Sequence, residues 1–276
     1  MSRPDTLIIE PGLARRNYWR DLWRYRELFS ILAWRDIAVR YKQTVFGIAW
    51  AIVQPFLAMV VFTIIFGRLA KLPTEGEAPY PLMVFAGLLP WHLFAGMFTG
   101  AANSLVTNTS LISKVYFPRL LVPAARGAVS MVDFLISLIV LFVLMAWYRF
   151  PPGWEILTLP FFVIMAILAS LGPALWASAL NVKYRDFIFV IPFVVQFGQF
   201  ISPVGFSSSV VPEEWLLLYS INPMVGVIDG FRWAILGGDS QIYLPGFALS
   251  WGVIVVFLWL GLRRFRKMEK SFADII

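Results

Sequence analysis

Residues 103–119 read NSLVTNTSLISKVYFPR, a polar island with an apolar stretch of bilayer-crossing length on either side. Lys114 and Arg119 bracket the aromatic pair Tyr116 and Phe117, and Pro118 closes the island. Positive charge between two membrane spans marks a cytosolic loop. Everything outside the island is read by asking what lies on its side of a membrane.

The totals agree with that starting point. Of 276 residues, 59% are hydrophobic and 14% charged, and the mean hydropathy is +0.75. Soluble domains run nearer 45–50% apolar and about 25% charged, so an all-α integral membrane protein is expected. The net charge of +7 raises the question of nucleic acid. The basic residues sit in the tails and two short loops, which fits orientation in a membrane rather than a phosphate-binding groove. There is no cysteine, which excludes disulfides, thiolate metal sites and cysteine nucleophiles. No cleavable signal is expected, because the first 43 residues are charged throughout and lack a short apolar core.

Two domains are expected: residues 1–43 as a cytosolic tail and interfacial helix, and residues 44–276 as one six-span transmembrane unit. From Asn17 to Ile37 the pattern is helical, with Leu22, Tyr25, Phe29 and Leu32 at three- and four-residue steps. Arg16, Arg20 and Arg24 form a stripe on another face, which suits a helix lying among lipid headgroups. Packing against a partner protein is the alternative. Spans are expected at about 45–69, 80–102, 120–147, 156–180, 187–205 and 245–262, each near the 20 or so apolar residues a hydrocarbon core requires. Pro55 predicts a kink in the first of them.

Residues 212–237 are harder to place. Trp215–Ile221 and Phe231–Leu236 are apolar but too short to cross, and Asn222, Pro223 and Gly230 interrupt them. A re-entrant helical hairpin fits, since such backbone is tolerated where protein surrounds it. Charge parity decides the count. With six spans and both termini inside, the inner side holds nine Lys and Arg in the N-terminal segment and three at Lys114, Arg119 and Arg126. Lys183 and Arg185 add two, and the tail adds five. The outer side keeps Arg68, Lys71, Arg149 and Arg232. A seventh span would put the basic tail outside, against the positive-inside rule.

Chemistry-bearing motifs are few. No phosphate-binding loop occurs, so ATP, if used, is hydrolysed on another chain. One histidine, His92, makes a metal spacing impossible; it reads as a packed or hydrogen-bonded side chain. Glu213 and Glu214 read as a solvated helix start after Pro212. Asn108-Thr-Ser110 matches a glycosylation triplet but falls in a cytosolic loop. Asp133 lies well inside a span with Arg126 on roughly the same face; an ionisable group at that depth is functional or a structural tie to a neighbouring helix. Phe189, Phe193, Phe197 and Phe200 run down one face of the fifth span, with Gln196 and Gln199 in the same helix. Two readings stand: lipid or core packing, and a channel lining in which rings stack on sugars while amides meet hydroxyls.

The stretches WRDIAVRYKQTVFGIAWAIVQP from Trp34, LISKVYFPRLLVP from Leu111, LNVKYRDF from Leu180, SPVGFSSSVVP from Ser202 and NPMVGVIDGFRWAILG from Asn222 carry a resemblance. In order and spacing the chain resembles the membrane (permease) subunit of ABC transporters exporting bacterial surface polysaccharides: O-antigen, capsule and teichoic acid. The resemblance implies a homodimer with two ATPase subunits that hold the ATP and Mg, in the bacterial inner membrane. It implies that Ser113, Lys114, Val115, Tyr116, Phe117, Pro118 and Arg119 form a coupling segment seated on the ATPase, with Lys183, Tyr184, Arg185 and Asp186 as a second contact. It implies an outer gate built from Trp215, Asn222, Pro223, Arg232 and Trp233, and a polysaccharide cargo on a lipid carrier. The cationic face of Arg16, Arg20 and Arg24 would then attract a lipid pyrophosphate headgroup. No cofactor is expected on this chain, and no nucleic acid. The rival functions are the same fold exporting a drug or lipid, an ion-coupled secondary transporter resting on Asp133, and a membrane transferase, for which no acid/base cluster is visible.

Overall fold

The computed structural model describes residues 18–42, 47–237, 240 and 242–269. All regular structure among them is helical. Two helices, α1 (Tyr18–Arg24) and α2 (Arg26–Lys42), precede the membrane segments. Then come α3 (Gly47–Phe62), which passes through Pro55 and continues as a π-helical stretch, Thr63–Leu69, and α4 (Tyr80–Thr107). The short α5 (Thr109–Lys114) leads to α6 (Leu121–Trp147). A 3-10 turn, Trp154–Thr158, opens α7 (Leu159–Lys183), and α8 (Phe187–Ile201) follows. Next are α9 (Glu213–Tyr219), α10 (Pro223–Leu236) and α11 (Leu244–Met268). The start of the first expected span, at Val45, lies outside the described residues.

Five stretches, within α3 and its π extension, α4, α6, α7 with its 3-10 turn, and α11, are long and apolar enough to cross a membrane; α8 is apolar but shorter. The expected fifth span, to Gly205, stops at Ile201. The cause is Pro203, which pushes Ser202 into an extended conformation (ψ 152°) and ends the helix.

At the centre stands α4, packed against α6, α7 and α10. Leu82 to Leu88 of α4 are essentially inaccessible, as expected of a helix apolar all round. Around it the main core gathers Met145, Phe162, Met165, Phe231 and Ile254. A second core fills the end that carries the charged islands: Leu32, Ile112, Phe117, Leu121, Leu175 and Phe265. α7 and α11 cross backbone to backbone. A Cβ on Gly172 would lie 2.6 Å from the Leu258 nitrogen, and one on Gly261 would lie 2.1 Å from the Gly172 carbonyl oxygen. Small residues at such crossings are how membrane helices gain close packing without a hydrophobic driving force.

α9 and α10 follow one another across a short turn, α9 packing on α11 and α10 on α4, α7 and α11. Asn222 caps α10 by accepting from the Met224 N–H at 3.0 Å, with Pro223 at the first helical position. Gly237, at φ 84°, ends it in a conformation suited to glycine. The turn region between them is tied to α8 and α11: Tyr219 Oη donates to the Ile201 carbonyl (2.7 Å) and Ser250 Oγ to the Ser220 carbonyl (3.0 Å).

Candidate functional site: the charged face and the apolar wall

The polar island is only in part a loop. Its first five residues prolong α4, and there Asn103 Nδ2 and Thr107 Oγ1 bond back to the carbonyls of Thr99 and Asn103 one turn earlier. Asn108 then breaks the helix, and α5 occupies six residues. Ser113, Lys114, Val115 and Tyr116 are exposed, whereas Phe117 and Pro118 are buried, Phe117 in the second core. The expected contact segment therefore divides into a free tip and a buried root.

Arg119 belongs to the root. Its backbone N–H donates to Glu269 Oε1 at 2.8 Å, and its guanidinium donates to the Glu269 carbonyl. Tyr18 Oη donates to the same carboxylate at 3.4 Å, with the Arg266 guanidinium 4.7 Å over the Tyr18 ring. Burial lifts the Glu269 carboxyl above its ordinary value, against the lowering effect of the Arg119 N–H. Burial and the neighbouring carboxylate likewise raise the Tyr18 phenol. Thus the two ends of the described chain meet at the exit of the island. No sequence signal joined them.

The second island lies beside the first. Asn181 Nδ2 donates to Asn103 Oδ1 (2.9 Å) and to the Ala102 carbonyl (3.2 Å), holding the ends of α7 and α4 together. Lys183, Tyr184, Arg185 and Asp186 are all exposed, with Lys183 Nζ 5.0 Å from the Tyr184 ring centre. Both exposed tips thus follow the hydrogen-bonded ends of α4 and α7.

The N-terminal helices back this surface. Leu22, Tyr25, Phe29 and Leu32, expected on one face, pack into the second core, while Trp19, Trp23 and Trp34 point outward at 61–72% exposure. Arg20 and Arg24 are exposed; Arg16 lies outside the described residues. The apolar face of this helix is thus covered by the chain itself, and the tryptophans lie on its uncovered side.

Asp133 and Arg126 do share a face of α6, but each pairs with α2 and not with the other. Arg40 Nη2 stands 2.7 Å from Asp133 Oδ2, and Tyr41 Oη donates to Asp133 Oδ1. Arg126 Nη1 is 3.4 Å from Asp36 Oδ2. Asp133 is a tie between helices, occupied on both oxygens.

The apolar wall is α8 with α3. Along α8, Ile191 is the buried residue, and Phe189, Phe193, Phe197 and Phe200 are 80%, 59%, 51% and 59% exposed. Phe193 and Phe197 stand 4.2 Å apart, and Phe200 stacks on Phe62 of α3 at 6.1 Å. Gln196 is exposed and Gln199 half-buried. Packing within the chain therefore does not account for the stripe. Sequence reading missed the rings beneath it: Trp91, Phe94 and Phe98 stack along α4 at 5.3 and 5.9 Å, with Trp91 against Gly198 of α8. Their spacing of three and four was the available signal.

At the opposite end, the residues assigned to an outer gate separate into two kinds. Trp215 is exposed on α9. Asn222 Nδ2 donates to Ser202 Oγ at 2.9 Å, and Trp233 packs edge-on to Trp154 at 6.2 Å. Arg232 is fully buried. Its guanidinium donates to Glu75 Oε1 (3.1 Å), the Phe206 carbonyl (2.8 Å), the Val204 carbonyl (3.0 Å) and, at a longer 3.4 Å, the Met83 carbonyl. Ser240 Oγ donates to the other Glu75 oxygen at 2.5 Å. Arg232 is a clamp that joins the 70–79 loop, α4, the 202–206 stretch and the hairpin. Among the described residues no cluster of His, Asp or Glu is arranged to hold a metal ion.

Comparison with known proteins places this arrangement. Residues 27–236 match the family described as ABC-2 type transporter. An O-antigen export system permease protein RfbA of Myxococcus xanthus is 27% identical over 259 residues, covering 93% of this chain and 98% of that protein. An RfbA of the same description from Klebsiella pneumoniae is 27% identical over 258 residues, covering 91% and 95%. The polysialic acid transport protein KpsM of Escherichia coli is 23% identical over 245 residues, covering 86% and 92%.

Proposed function

The chain belongs to the ABC-2 type transporter membrane family, and from that footing we propose that it is the permease half of an ATP-driven exporter of a lipid-linked polysaccharide. Two copies enclose the channel, and two separate ATPase chains drive it from the cytosol. The exposed tips Ser113 to Tyr116 and Lys183 to Asp186 seat on those ATPases, Lys114 and Arg185 offering cations to acidic partners. Both termini face the cytosol, in the inner membrane of a bacterium.

One observation carries the choice of cargo: a phenylalanine stripe that runs the length of α8 and is exposed throughout. Aromatic faces stack on the apolar faces of sugar rings, and Gln196 and Gln199 supply hydroxyl partners without a deep site that would arrest movement. The same stripe favours a glycan over a drug or simple lipid, for which an aliphatic lining would serve. Asp133, held by Arg40 and Tyr41, is engaged structurally, which weighs against the ion-coupled alternative. The hairpin α9–α10 closes the outer end, with Trp215 and Trp233 near its mouth and Arg232 fixing its base. Arg20 and Arg24, and Arg16 with them, meet the carrier's pyrophosphate at the inner leaflet.

The test is reconstitution. In vesicles holding this chain with its ATPase partner, ATP should move a fluorescent lipid-linked glycan across the bilayer, and the chain without the ATPase should move none. Movement without the ATPase, or failure of any ABC ATPase to co-purify, would overturn the reading.

A further inference from the structure

The last long helix, α11, has two faces of different kind. Gly246, Ser250, Ile254, Gly261 and Phe265 are buried against the rest of the chain. On the opposite side Val255, Val256 and Trp259 are each more than half exposed, and a Cβ on Gly252 would meet nothing within 4 Å. One and two turns beyond Trp259, that same side carries Arg263 and Lys267, both exposed, with exposed Arg264 at its edge. Arg266 is turned elsewhere, over the Tyr18 ring. α11 contains no Asp or Glu, and Glu269 just past its end is taken by Arg119 and Tyr18. Among the described residues no salt bridge reaches Arg263, Arg264 or Lys267.

We propose that this face of α11 binds an anionic phospholipid in the leaflet beside the basic end of the helix, with acyl chains along Val255, Val256 and Trp259 and the phosphate on Arg263 and Lys267. Charge complementarity is the first argument: cations clustered directly after an apolar span are the pattern that recruits anionic lipid. The second is where the Arg263 guanidinium goes. Helix side chains lean toward the N-terminus, and this one lies back over the Trp259 ring, 5.1 Å from its centre. Tryptophan at the end of a span sits at headgroup level, so the guanidinium is held at the depth of lipid phosphates, which it can grip with two hydrogen bonds. A cytosolic protein would be met by cations reaching away from the membrane. A second copy of this chain would bring the same cations and be repelled. Like charges spaced three and four residues apart weaken a helix, so a phosphate among Arg263, Arg264 and Lys267 stabilises the last turns of α11. The site requires neither ATP nor cargo, and it is separate from the arginine stripe of the N-terminal segment.

The full chain, purified in detergent and stripped of residual lipid, provides the test. Its unfolding midpoint is followed as phosphatidylglycerol is added, with zwitterionic phosphatidylethanolamine as the comparison. Phosphatidylglycerol should raise the midpoint to a plateau, and the rise should shrink at high salt. In Arg263→Gln with Lys267→Gln, the lipid concentration giving half the rise should increase about fivefold per cation removed. Arg68→Gln with Arg149→Gln loses the same charge elsewhere on the surface and should titrate like the unaltered chain. Arg263→Lys with Lys267→Arg keeps the charge and should keep most of the affinity, which a folding defect would not allow. Glycerophosphate, a phosphate without tails, should not substitute for the lipid. The site is overturned by an equal loss in the two neutralised variants, by phosphatidylethanolamine or glycerophosphate acting as well as phosphatidylglycerol, or by a rise indifferent to salt. Loss of a co-purifying protein from Arg263→Gln with Lys267→Gln, with phosphatidylglycerol affinity unchanged, would assign the face to that protein and equally overturn it.

Discussion

A guanidinium without solvent must find its acceptors inside the protein, and Arg232 finds a carboxylate and three carbonyls. Removing one member of such a buried pair leaves the other charge uncompensated, at roughly 3–5 kcal/mol. Arg232→Met should therefore lower the unfolding midpoint in detergent sharply, and Arg232→Met with Glu75→Gln should recover part of the loss; equal midpoints for the single and double variants would contradict the clamp. Glu269 gives a pH-dependent counterpart. Its carboxyl is raised above 4.5 in the folded protein, so the folded state holds the proton more tightly than the unfolded one. That contribution is complete below about pH 4.5 and is lost as pH rises through the folded-state value. Glu269→Gln should flatten the midpoint against pH in that range, and an unchanged slope would remove Glu269 from the account. Sequence marked Arg232 as an outer-side cation, and the resemblance placed it in an outer gate. Its acceptors were invisible because two of them, the Val204 and Phe206 carbonyls, are freed when Pro203 ends α8.

Helices show the same division between pattern and contact. Length and apolarity were enough to find the five long apolar helices, and polar islands were enough to separate them. Which face of each turns inward was not legible, since lipid-facing and core-facing residues are both apolar. α6 and α7 read alike, yet α7 carries the glycine against which α11 lies. Gly261→Ala should force the α7–α11 crossing apart and reduce the yield of folded protein severalfold, because its Cβ would fall 2.1 Å from the Gly172 oxygen. Gly252→Ala on the same helix meets nothing within 4 Å and should raise stability by up to about 1 kcal/mol through helix propensity. Thermal unfolding of the pair checks both, and equal effects would deny the close crossing. On α8, Phe193→Ala with Phe197→Ala removes rings already exposed, so the unfolding midpoint should shift little, by about 0.5 kcal/mol or less. Glycan transport in vesicles should fall at least tenfold if those rings line the path; normal transport would return the stripe to lipid.

For the whole molecule, the prediction concerns sidedness. A cysteine introduced at Lys183 should react with a membrane-impermeant maleimide only from the cytosolic side, and one at Trp154 only from the outside. The reverse result would invert every assignment of inner and outer surfaces. Charge placement carries this expectation, since 23 Lys and Arg residues distribute unevenly between alternate connections. The meeting of Tyr18, Arg119 and Glu269 was not, being a contact over more than two hundred residues with no local signature. Pro203 has a consequence at this scale as well. By stopping α8 at fifteen residues it leaves a helix about 22 Å long, against a hydrocarbon thickness near 30 Å. α8 alone therefore falls short of a full crossing, and the chain beyond Ser202 has to supply the remainder.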